Sequence, residues 1–508
     1  MKRLFIVFTV LLMLISCSDN EPSKPVNNPG NTSGTASDMK PTDSFSLCYS
    51  AEETLNPFKT ASKFNLEIAP LLFDGLVRLD NNFQPVYRIA REIQSDGASC
   101  TVTIDDNIVF SDGTPLTAAD VVYSFGAARA SGSYYRARLA GASSAKADGT
   151  HTVRFALSSP DALFLSCLDF PVIKSGTDKN AACPIGSGRY VYVPHEISPT
   201  LQTNENHRGT AGQIKTINLL KIPDREALLH SVEVGTLSCY FMDFSDGTIP
   251  RINTTFAPVN INNFVYLGVN SKKEAFADPK LRGTIFKLLN RETISSKGYQ
   301  GRALPAYTAF NPVFKPLESL HTAYKDENPV AAIAALTEMG YDSLDQNGVR
   351  KSKLRKMSYE LIYTENNEMR KAAAQEIAAQ LAAAGISLKL TALSLDNYKA
   401  RLTGGNFDFY LAETKLTGNM DLSLLFSETG GLGFGFPAEL TAPGLYAAYK
   451  SSGSAADLKA FLDAFHGELP FIPICYRQGL AAFNRGITGD FKVSQSDLFY
   501  DIEHWKMG

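Results

Sequence analysis

The sequence predicts an α/β protein that folds into two or three lobes. A chain of 508 residues is longer than one ordinary hydrophobic core accommodates. Its content of 44% hydrophobic and 20% charged residues is normal for a globular protein and argues against disorder. Between Tyr359 and Leu411 the hydrophobic pattern changes in the order strand, helix, strand, helix, strand, which is typical of a mixed α/β lobe.

The N-terminus has the features of an exported lipoprotein. Two basic residues precede an apolar run over residues 4–15, which is too short to remain as a membrane span. We therefore interpret residues 1–16 as a signal peptide. Residues 14–17 read Leu-Ile-Ser-Cys and resemble a bacterial lipobox, so we expect Cys17 to carry a lipid that holds the protein at the membrane. Residues 17–42 are polar and rich in Pro, Gly, Ser and Asn, which predicts a flexible tether.

The first elements after the tether alternate between strand and helix patterns. Phe45 to Tyr49 alternates apolar and polar residues and predicts a strand. Leu66 to Leu79 begins as a helix-like run and ends in a strand-like segment. Ile89 to Ile93 is predicted to be a short helix, and Thr101 to Ile104 is predicted to be a strand.

The segment from Phe110 to Phe125 predicts a rigid corner between a strand and a helix. Gly113 lies in a polar turn, where its tolerance of positive φ is useful. Thr117 is placed as the N-cap of the following helix, and Asp120 can complete a capping box three residues later. From physical chemistry alone, this corner is structural.

The second half of the chain predicts a strand-helix-strand unit with clear boundaries. Strands are expected at Tyr359 to Tyr363 and at Ile386 to Leu390, with Asn366 or Asn367 as the cap of the helix between them. Gly385 ends that helix. The other elements predicted by the same patterns are strands at 153–157, 214–219 and 407–411, and helices at 225–232, 331–341 and 397–402.

Residues 110–124 carry a specific family resemblance. They read Phe-Ser-Asp-Gly-Thr-Pro-Leu-Thr-Ala-Ala-Asp-Val-Val-Tyr-Ser, which resembles the signature of the family 5 extracellular solute-binding proteins of ABC importers. Six further segments resemble the same family: 73–80, 184–190, 264–270, 278–282, 288–292 and 471–476. The resemblance implies that 264–270 is the strand that crosses to the second lobe and that 471–476 is the strand that returns to the first. Arg189 departs from the family pattern, because it stands where proline is usual.

The resemblance implies a two-lobed periplasmic-binding-protein fold of type II with an extra subdomain, whose lobes close on a ligand about a hinge. It implies that residues 43–57, 184–263 and 472–508 form the first lobe, residues 58–183 the extra subdomain and residues 264–471 the second lobe. The expected partners are a peptide or other small solute, the transmembrane subunits of an ABC permease, and a membrane reached through the N-terminal lipid. The protein is expected to be a monomer that faces the periplasm or the cell exterior.

The resemblance also indicates where the solute should bind. In peptide-binding relatives, a tryptophan and an aspartate follow a Phe-Asp strand and hold the amino terminus of the ligand. Counting from Phe407-Asp408, Thr414 and Thr417 take those two positions here, so the carboxylate is missing. Glu413 or Asp421 could replace it, Lys415 could favour an anionic solute, or Glu413 and Lys415 could simply pair with each other.

Aromatic residues and one arginine complete the predicted site. Tyr134 and Tyr135 lie where the extra subdomain of relatives offers an aromatic ring to the ligand. Tyr476 and Arg477 lie on the predicted return strand, and Tyr266 lies near the first crossing between the lobes. For each aromatic residue, a place in the hydrophobic core is an equal alternative.

Other functions find little support. The net charge of -3 and the pI near 6.2, without a basic stripe, argue against nucleic acid as a partner. The seven histidines form no metal-binding pattern, and neither a Gly-x-Ser-x-Gly elbow nor a P-loop is present, so we predict no catalytic residue, metal or cofactor. The six cysteines after Cys17 permit either disulfides or free thiols. The alternatives to transport are a surface sensor or adhesion lipoprotein with the same fold, and an exported hydrolase.

Overall fold

The computed structural model describes residues 44–179, 182–209, 212–427, 431–437 and 439–508. The predicted signal peptide, Cys17 and the tether lie outside the described residues. No helix within those ranges combines the length and the apolar character needed to cross a membrane.

The strands and helices alternate along the whole described chain. The strands are β1 Phe45–Cys48, β2 Val77–Leu79, β3 Pro85–Tyr87, β4 Ala90–Ser95, β5 Ser99–Ile104, β6 Ala142–Ala147, β7 Thr152–Leu157, β8 Tyr190–Val193, β9 Thr200–Thr203, β10 Thr216–Leu220, β11 Cys239–Met242, β12 Thr255–Val269, β13 Ala303–Pro305, β14 Ser343–Leu344, β15 Arg350–Lys351, β16 Ser358–Thr364, β17 Ser387–Leu393, β18 Phe409–Lys415, β19 Phe471–Phe483, β20 Ile487–Thr488 and β21 Lys506–Met507. The helices are α1 Lys63–Leu72, α2 Ala118–Ala128, α3 Arg225–Glu233, α4 Glu274–Ala277, α5 Pro279–Leu288, α6 Arg291–Thr293, α7 Pro329–Glu338, α8 Glu368–Ala383, α9 Leu395–Thr403, α10 Ala442–Ser452 and α11 Ala455–Glu468.

Three sheets organise these elements. A four-stranded sheet has the order β1-β10-β9-β8, and a second four-stranded sheet has the order β4-β5-β7-β6. The largest sheet has the order β11-β19-β12-β18-β16-β17, and β13 pairs with β19 beside it. The parallel pairing of β16 with β17 and with β18 confirms the mixed α/β character predicted for residues 359–411.

Two hydrophobic cores define two lobes. The core of the first lobe combines β1, α1 and the β4-β5-β7-β6 sheet with the C-terminal residues around Trp505. The core of the second lobe combines β16, α8, α10, α11 and the adjoining halves of β12 and β19. Each lobe has a core of its own, and the second core also includes Leu228 and Val232 of α3 and Met242 of β11.

The long strands β12 and β19 connect the two lobes. They pair antiparallel from Thr255 opposite Phe483 to Gly268 opposite Phe471, and the register shifts between Asn260 and Asn263. At this break, backbone amides donate to side chains instead of to the neighbouring strand. Asn260 N donates to Asn81 Oδ1 at 2.8 Å. The crossing strands predicted at 264–270 and 471–476 are thus confirmed, although each is longer than predicted.

The corner at residues 110–125 is confirmed. The Asp120 carboxylate accepts hydrogen bonds from Thr117 N at 3.0 Å and from Thr117 Oγ1 at 2.7 Å, at the start of α2. Gly113 has a φ of 80°, as the turn requires. The helix cap predicted at Asn366 or Asn367 is Asn367, whose side chain accepts from Arg370 N.

One short element was predicted incorrectly. Ile89 to Ile93 was expected to be helical, but Ala90–Ser95 is strand β4, which pairs antiparallel with β5. A run of this length cannot be assigned by periodicity alone, and pairing with a neighbouring strand outweighs its weak helix propensity.

Candidate functional site

The two lobes face each other across a cleft. We define the cleft as the space between α1 with Tyr134 on the first lobe and the C-terminal end of β18 on the second. Lys415 at the end of β18 reaches across it and donates to Tyr134 Oη at 3.4 Å. Arg477 of β19 lies beside the register break of the crossing strands. It donates hydrogen bonds to Glu413 of the second lobe and to the backbone oxygen of Asp243 of the first.

Glu413 lies at the centre of the second lobe's side. Its carboxylate accepts from Arg477 Nε at 2.7 Å, from Asn263 Nδ2 at 2.7 Å and from Arg370 Nη2 at 3.4 Å. Burial alone would raise the pKa of Glu413, but the charges of Arg477 and Arg370 outweigh it and lower the pKa. Glu413 is therefore an ionised carboxylate that is fully occupied by the protein itself.

Hydrogen bonds and ion pairs connect Arg477 to charged residues of the first lobe. Arg477 Nη1 donates to the backbone oxygen of Asp243, in the segment after β11. The Asp243 carboxylate pairs with Lys63 of α1 at 3.1 Å. Lys63 Nζ also lies 3.9 Å from Glu67, one helical turn further along α1. A chain of alternating charges thus runs from Glu67 through Arg477 and across the hinge.

Glu67 differs from the other members of this chain. Burial raises the pKa of Glu67 to about 7, with the nearby negative charge of Asp243 adding to the effect and Lys63 and Lys415 opposing it. Its Oε1 atom is buried and has no hydrogen-bond donor, whereas the side chain as a whole keeps 18% exposure. The carboxylate therefore has an unused acceptor oxygen at the cleft.

Tyr134 and Tyr135 lie on the first lobe's side in different surroundings. Tyr134 is 43% exposed, and its pKa is lowered by Lys415, an effect that Arg138 reinforces and burial opposes. Tyr135 is buried against the edge of the Tyr134 ring, with 5.3 Å between the ring centroids. Arg138 lies over both rings and is paired with Asp169 at 2.7 Å.

Tyr266 and Tyr476 lie in the hydrophobic core, away from the cleft. Their exposures are 2% and 0%, and each ring stacks on Phe264 between them. Tyr476 Oη donates to Ala309 O at 2.6 Å. This placement favours the core role that the sequence left open for both tyrosines over contact with a ligand.

The end of β18 and the residues that follow it depart from the pattern of the peptide-binding relatives. Thr414 pairs with Phe264 in the β12-β18 ladder. Thr417 Oγ1 donates to Asn419 Oδ1 at 2.6 Å, and the Thr417 carbonyl accepts from Asn262 Nδ2. Glu413 and Lys415 do not pair with each other, because Glu413 binds the two arginines. Asp421 is held by Lys450 at 2.7 Å and by Ser423.

A second set of contacts joins the lobes beside the cleft. Ala162 N, near the β4-β5-β7-β6 sheet, donates to the Lys450 carbonyl of α10 at 2.8 Å. Asp161 accepts from Asn419 Nδ2 at 3.2 Å and lies 3.7 Å from Lys450 Nζ. These contacts join the two lobes directly.

The sequence analysis missed Lys63 and Glu67 of the first lobe and several residues that position Glu413. Lys63 and Glu67 are spaced four residues apart, which predicts a pair on one helix face but not its location. Asp243, Arg370 and Asn263 gave no signal, because their partners are distant in sequence. Among the described residues, no group of three or more His, Cys, Asp or Glu side chains could hold a metal ion, and the six described cysteines are free thiols.

Two lobes that are joined by crossing strands and face each other across a charged cleft define a binding protein that closes on a small solute. A profile of the middle region of the bacterial extracellular solute-binding proteins, family 5, matches residues 82–426. The chain belongs to this family, whose members serve ABC importers and are solute-binding proteins rather than enzymes.

Relatives and solved structures agree with this assignment. The chain is 23% identical over 439 residues to the oligopeptide-binding protein AppA of Bacillus subtilis (strain 168). The aligned region covers 80% of this chain and 79% of that protein. The unliganded open form of MppA, a periplasmic murein tripeptide binding protein, shares the fold with a TM-score of 0.77 at 18% identity, over 92% of this chain and 98% of that one. NikA from Brucella suis in complex with Fe(III)-EDTA has a TM-score of 0.69 at 18% identity, over 91% and 100% of the two chains.

Proposed function

We propose that this protein is the lipid-anchored substrate-binding component of an ABC importer. It captures a peptide or other small solute in the cleft between the lobes and delivers it to the permease. The observation that carries the proposal is the chain of charges from Glu67 to Glu413, because it draws on both lobes and passes through the hinge. A solute that binds groups on both sides of the cleft beside this chain holds the lobes together, and the closed shape is what a permease can recognise.

The range of known ligands in the family leaves the solute open. AppA is named for oligopeptides, MppA for a murein tripeptide, and NikA was solved with a metal chelate. Thr417 stands where peptide-binding relatives place the aspartate that holds the ligand's amino terminus. The ligand of this protein is therefore a peptide held differently, or another small solute of similar size.

Calorimetric titration of the purified protein with peptides and polar metabolites tests the capture step. We expect at least one solute to bind with micromolar or tighter affinity and to reduce the radius of gyration in X-ray scattering, as closure of the lobes requires. Absence of both binding and closure across the panel would overturn the proposal. Binding and closure without uptake by cells that carry the cognate permease would instead support the sensor lipoprotein.

The lipid anchor needs a separate test, since Cys17 lies outside the described residues. The substitution Cys17→Ala should move the protein from the membrane fraction to the soluble exported fraction without changing its affinity for the solute. A Cys17→Ala protein that stays in the membrane fraction would contradict lipidation at this residue.

A further inference from the structure

Given the proposed role as a solute-binding protein, we infer that the solute is a zwitterion whose cationic group binds Glu67 of the first lobe and whose anionic group binds Lys415 of the second. The cation site is therefore on α1, across the cleft from the segment where the resemblance places it. Each of these two groups lacks a full set of partners in the structure, and they lie on opposite lobes.

The carboxylates of the second lobe are not available to a ligand cation. Glu413 accepts from Asn263, Arg477 and Arg370, and two of these donors are arginines that neutralise its charge. Asp421 pairs with Lys450 at 2.7 Å and also accepts from Tyr446 Oη at 3.1 Å. A ligand ammonium would have to displace these groups and leave a buried arginine unpaired, which is costly.

Glu67 of the first lobe, in contrast, has a carboxylate oxygen that accepts no hydrogen bond. Among the described residues, it is the only one with a buried carboxylate oxygen that lacks a hydrogen-bond donor. Its nearest cation, Lys63 Nζ, is 3.9 Å away and lies closer to Asp243, at 3.1 Å. An unsatisfied buried acceptor costs free energy that a ligand ammonium or amidinium would recover by donating to it.

Lys415 offers the complementary charge from the second lobe. Its side chain is exposed, donates a long bond of 3.4 Å to Tyr134 Oη and lies 5.8 Å from the centroid of the Tyr134 ring. None of the described carboxylates forms an ion pair with it. A ligand carboxylate or similar anion would supply that partner, and the Tyr134 hydroxyl can donate a second hydrogen bond to the same anion.

The two sites act together because they lie on different lobes. A solute with only one charge would satisfy one lobe and leave the other unpaired, whereas a zwitterion satisfies both and ties them together. The charged and titratable groups that face Glu67 are Lys63 on its own helix, Asp243, Tyr240 and Cys239 on or after β11, Cys48 at the end of β1, and Lys415. Because burial raises the pKa of Glu67 to about 7, part of the Glu67 population is protonated at neutral pH and should release its proton when Glu67 binds a cation.

The test uses three matched peptide libraries built from alanine and glycine, two to four residues long: free, N-acetylated and C-amidated. We expect the free library to bind the full protein in calorimetric titration, and acetylation or amidation each to weaken binding about tenfold or more. Glu67→Gln should bind free and acetylated peptides equally, and Lys415→Met should bind free and amidated peptides equally. The matched controls Glu196→Gln and Lys146→Met change exposed residues and should behave as the wild-type protein does.

Proton release separates ligand contact by Glu67 from a merely structural role. Titrations at pH 7 in two buffers of different protonation enthalpy should show proton release by the wild-type protein and none by Glu67→Gln. Acetylated peptides that bind as tightly as free ones, or unchanged proton release in Glu67→Gln, would overturn the inference. A protein that binds only a non-zwitterionic metabolite overturns it and leaves the proposed function standing, whereas one that binds no solute overturns both.

Discussion

The corner at residues 110–125 and the end of β18 use the same kinds of charged side chain for different purposes. In the corner, Asp112 and Asp120 accept hydrogen bonds from Thr114 and Thr117, two and three positions away. At the end of β18, Glu413 accepts from residues 43, 64 and 150 positions away. The corner's more distant partners, Lys174 and Ser175, belong to the same subdomain. The corner therefore stabilises one subdomain, whereas Glu413 connects α8, β12 and β19 between the lobes.

This difference predicts how substitutions will act. Changes in the corner should alter the stability of the first lobe and leave solute binding unchanged. Changes along the charge chain should alter both, because the same contacts hold the lobes and line the cleft. The following predictions test this separation, and they are ordered from the largest expected effect to the smallest.

The substitution Glu413→Ala should have the largest effect. It leaves Arg477, whose side chain is only 4% exposed, without its carboxylate. Removing one partner of a buried ion pair lowers the free energy of unfolding by about 3 to 5 kcal/mol, which urea denaturation would measure. The double substitution Glu413→Leu with Arg477→Met is the control and should recover part of the loss. A loss below about 1 kcal/mol would show that Glu413 does not hold the hinge.

Glu67 should make the stability of the ligand-free protein depend on pH. Its pKa is raised from 4.5 to about 7, so the fold favours the protonated form. The stabilisation is complete below pH 4.5 and is lost as the pH rises through 7. We expect the Glu67→Gln protein to gain about 2 kcal/mol over the wild-type protein between pH 4.5 and 8, at about 1.4 kcal/mol per pKa unit with a reduction for partial exposure.

Denaturation at a series of pH values measures this effect. The Glu196→Gln protein provides the control, because that residue is exposed and should give a curve parallel to the wild type. If the difference between Glu67→Gln and wild type stays constant from pH 4.5 to 8, Glu67 titrates normally and its burial in the cleft is not the cause of any shift.

The same comparison explains which features could be predicted from the sequence. The corner and the βαβ unit were predictable, because turn glycines, helix caps and alternating residues encode them within a few positions. The crossing strands were expected from the family resemblance instead. Glu413 and Lys415 were identified from the family pattern, but their partners were not. Arg370 and Asn263 come from other elements, and only the folded chain brings them to Glu413. Ala90–Ser95 was mistaken for a helix because its pairing with β5 is also non-local.

The substitution Asp120→Ala should have a moderate effect confined to the first lobe. Asp120 completes the capping box of α2, and its second carboxylate oxygen accepts from Ser175 N at 3.0 Å. Loss of such a cap costs about 1 to 2 kcal/mol in the free energy of unfolding. Hydrogen exchange should rise in α2 and stay unchanged in α8 of the second lobe. Weaker solute binding in this variant would contradict the separation between the corner and the cleft.

The smallest effect is expected for Asp112→Asn. Asp112 pairs with Lys174, but the two side chains are 33% and 30% exposed. The hydrogen bond from Lys174, aided by Thr114, lowers the pKa of Asp112 to about 2. Water screens such a pair, so its loss should cost about 0.2 to 1 kcal/mol at pH 7 and less as the pH falls towards 2.

Asparagine is the informative replacement at this position, because its carbonyl oxygen can still accept from Thr114 and preserve the turn. Only the charge is removed, and the paired variant Lys174→Met should reproduce the same small loss. A loss above about 1.5 kcal/mol, or any change in the affinity for the solute, would mean that the corner is coupled to the cleft. The motif by which the family is identified would then take part in closure, and the division between a structural corner and a binding cleft would fail.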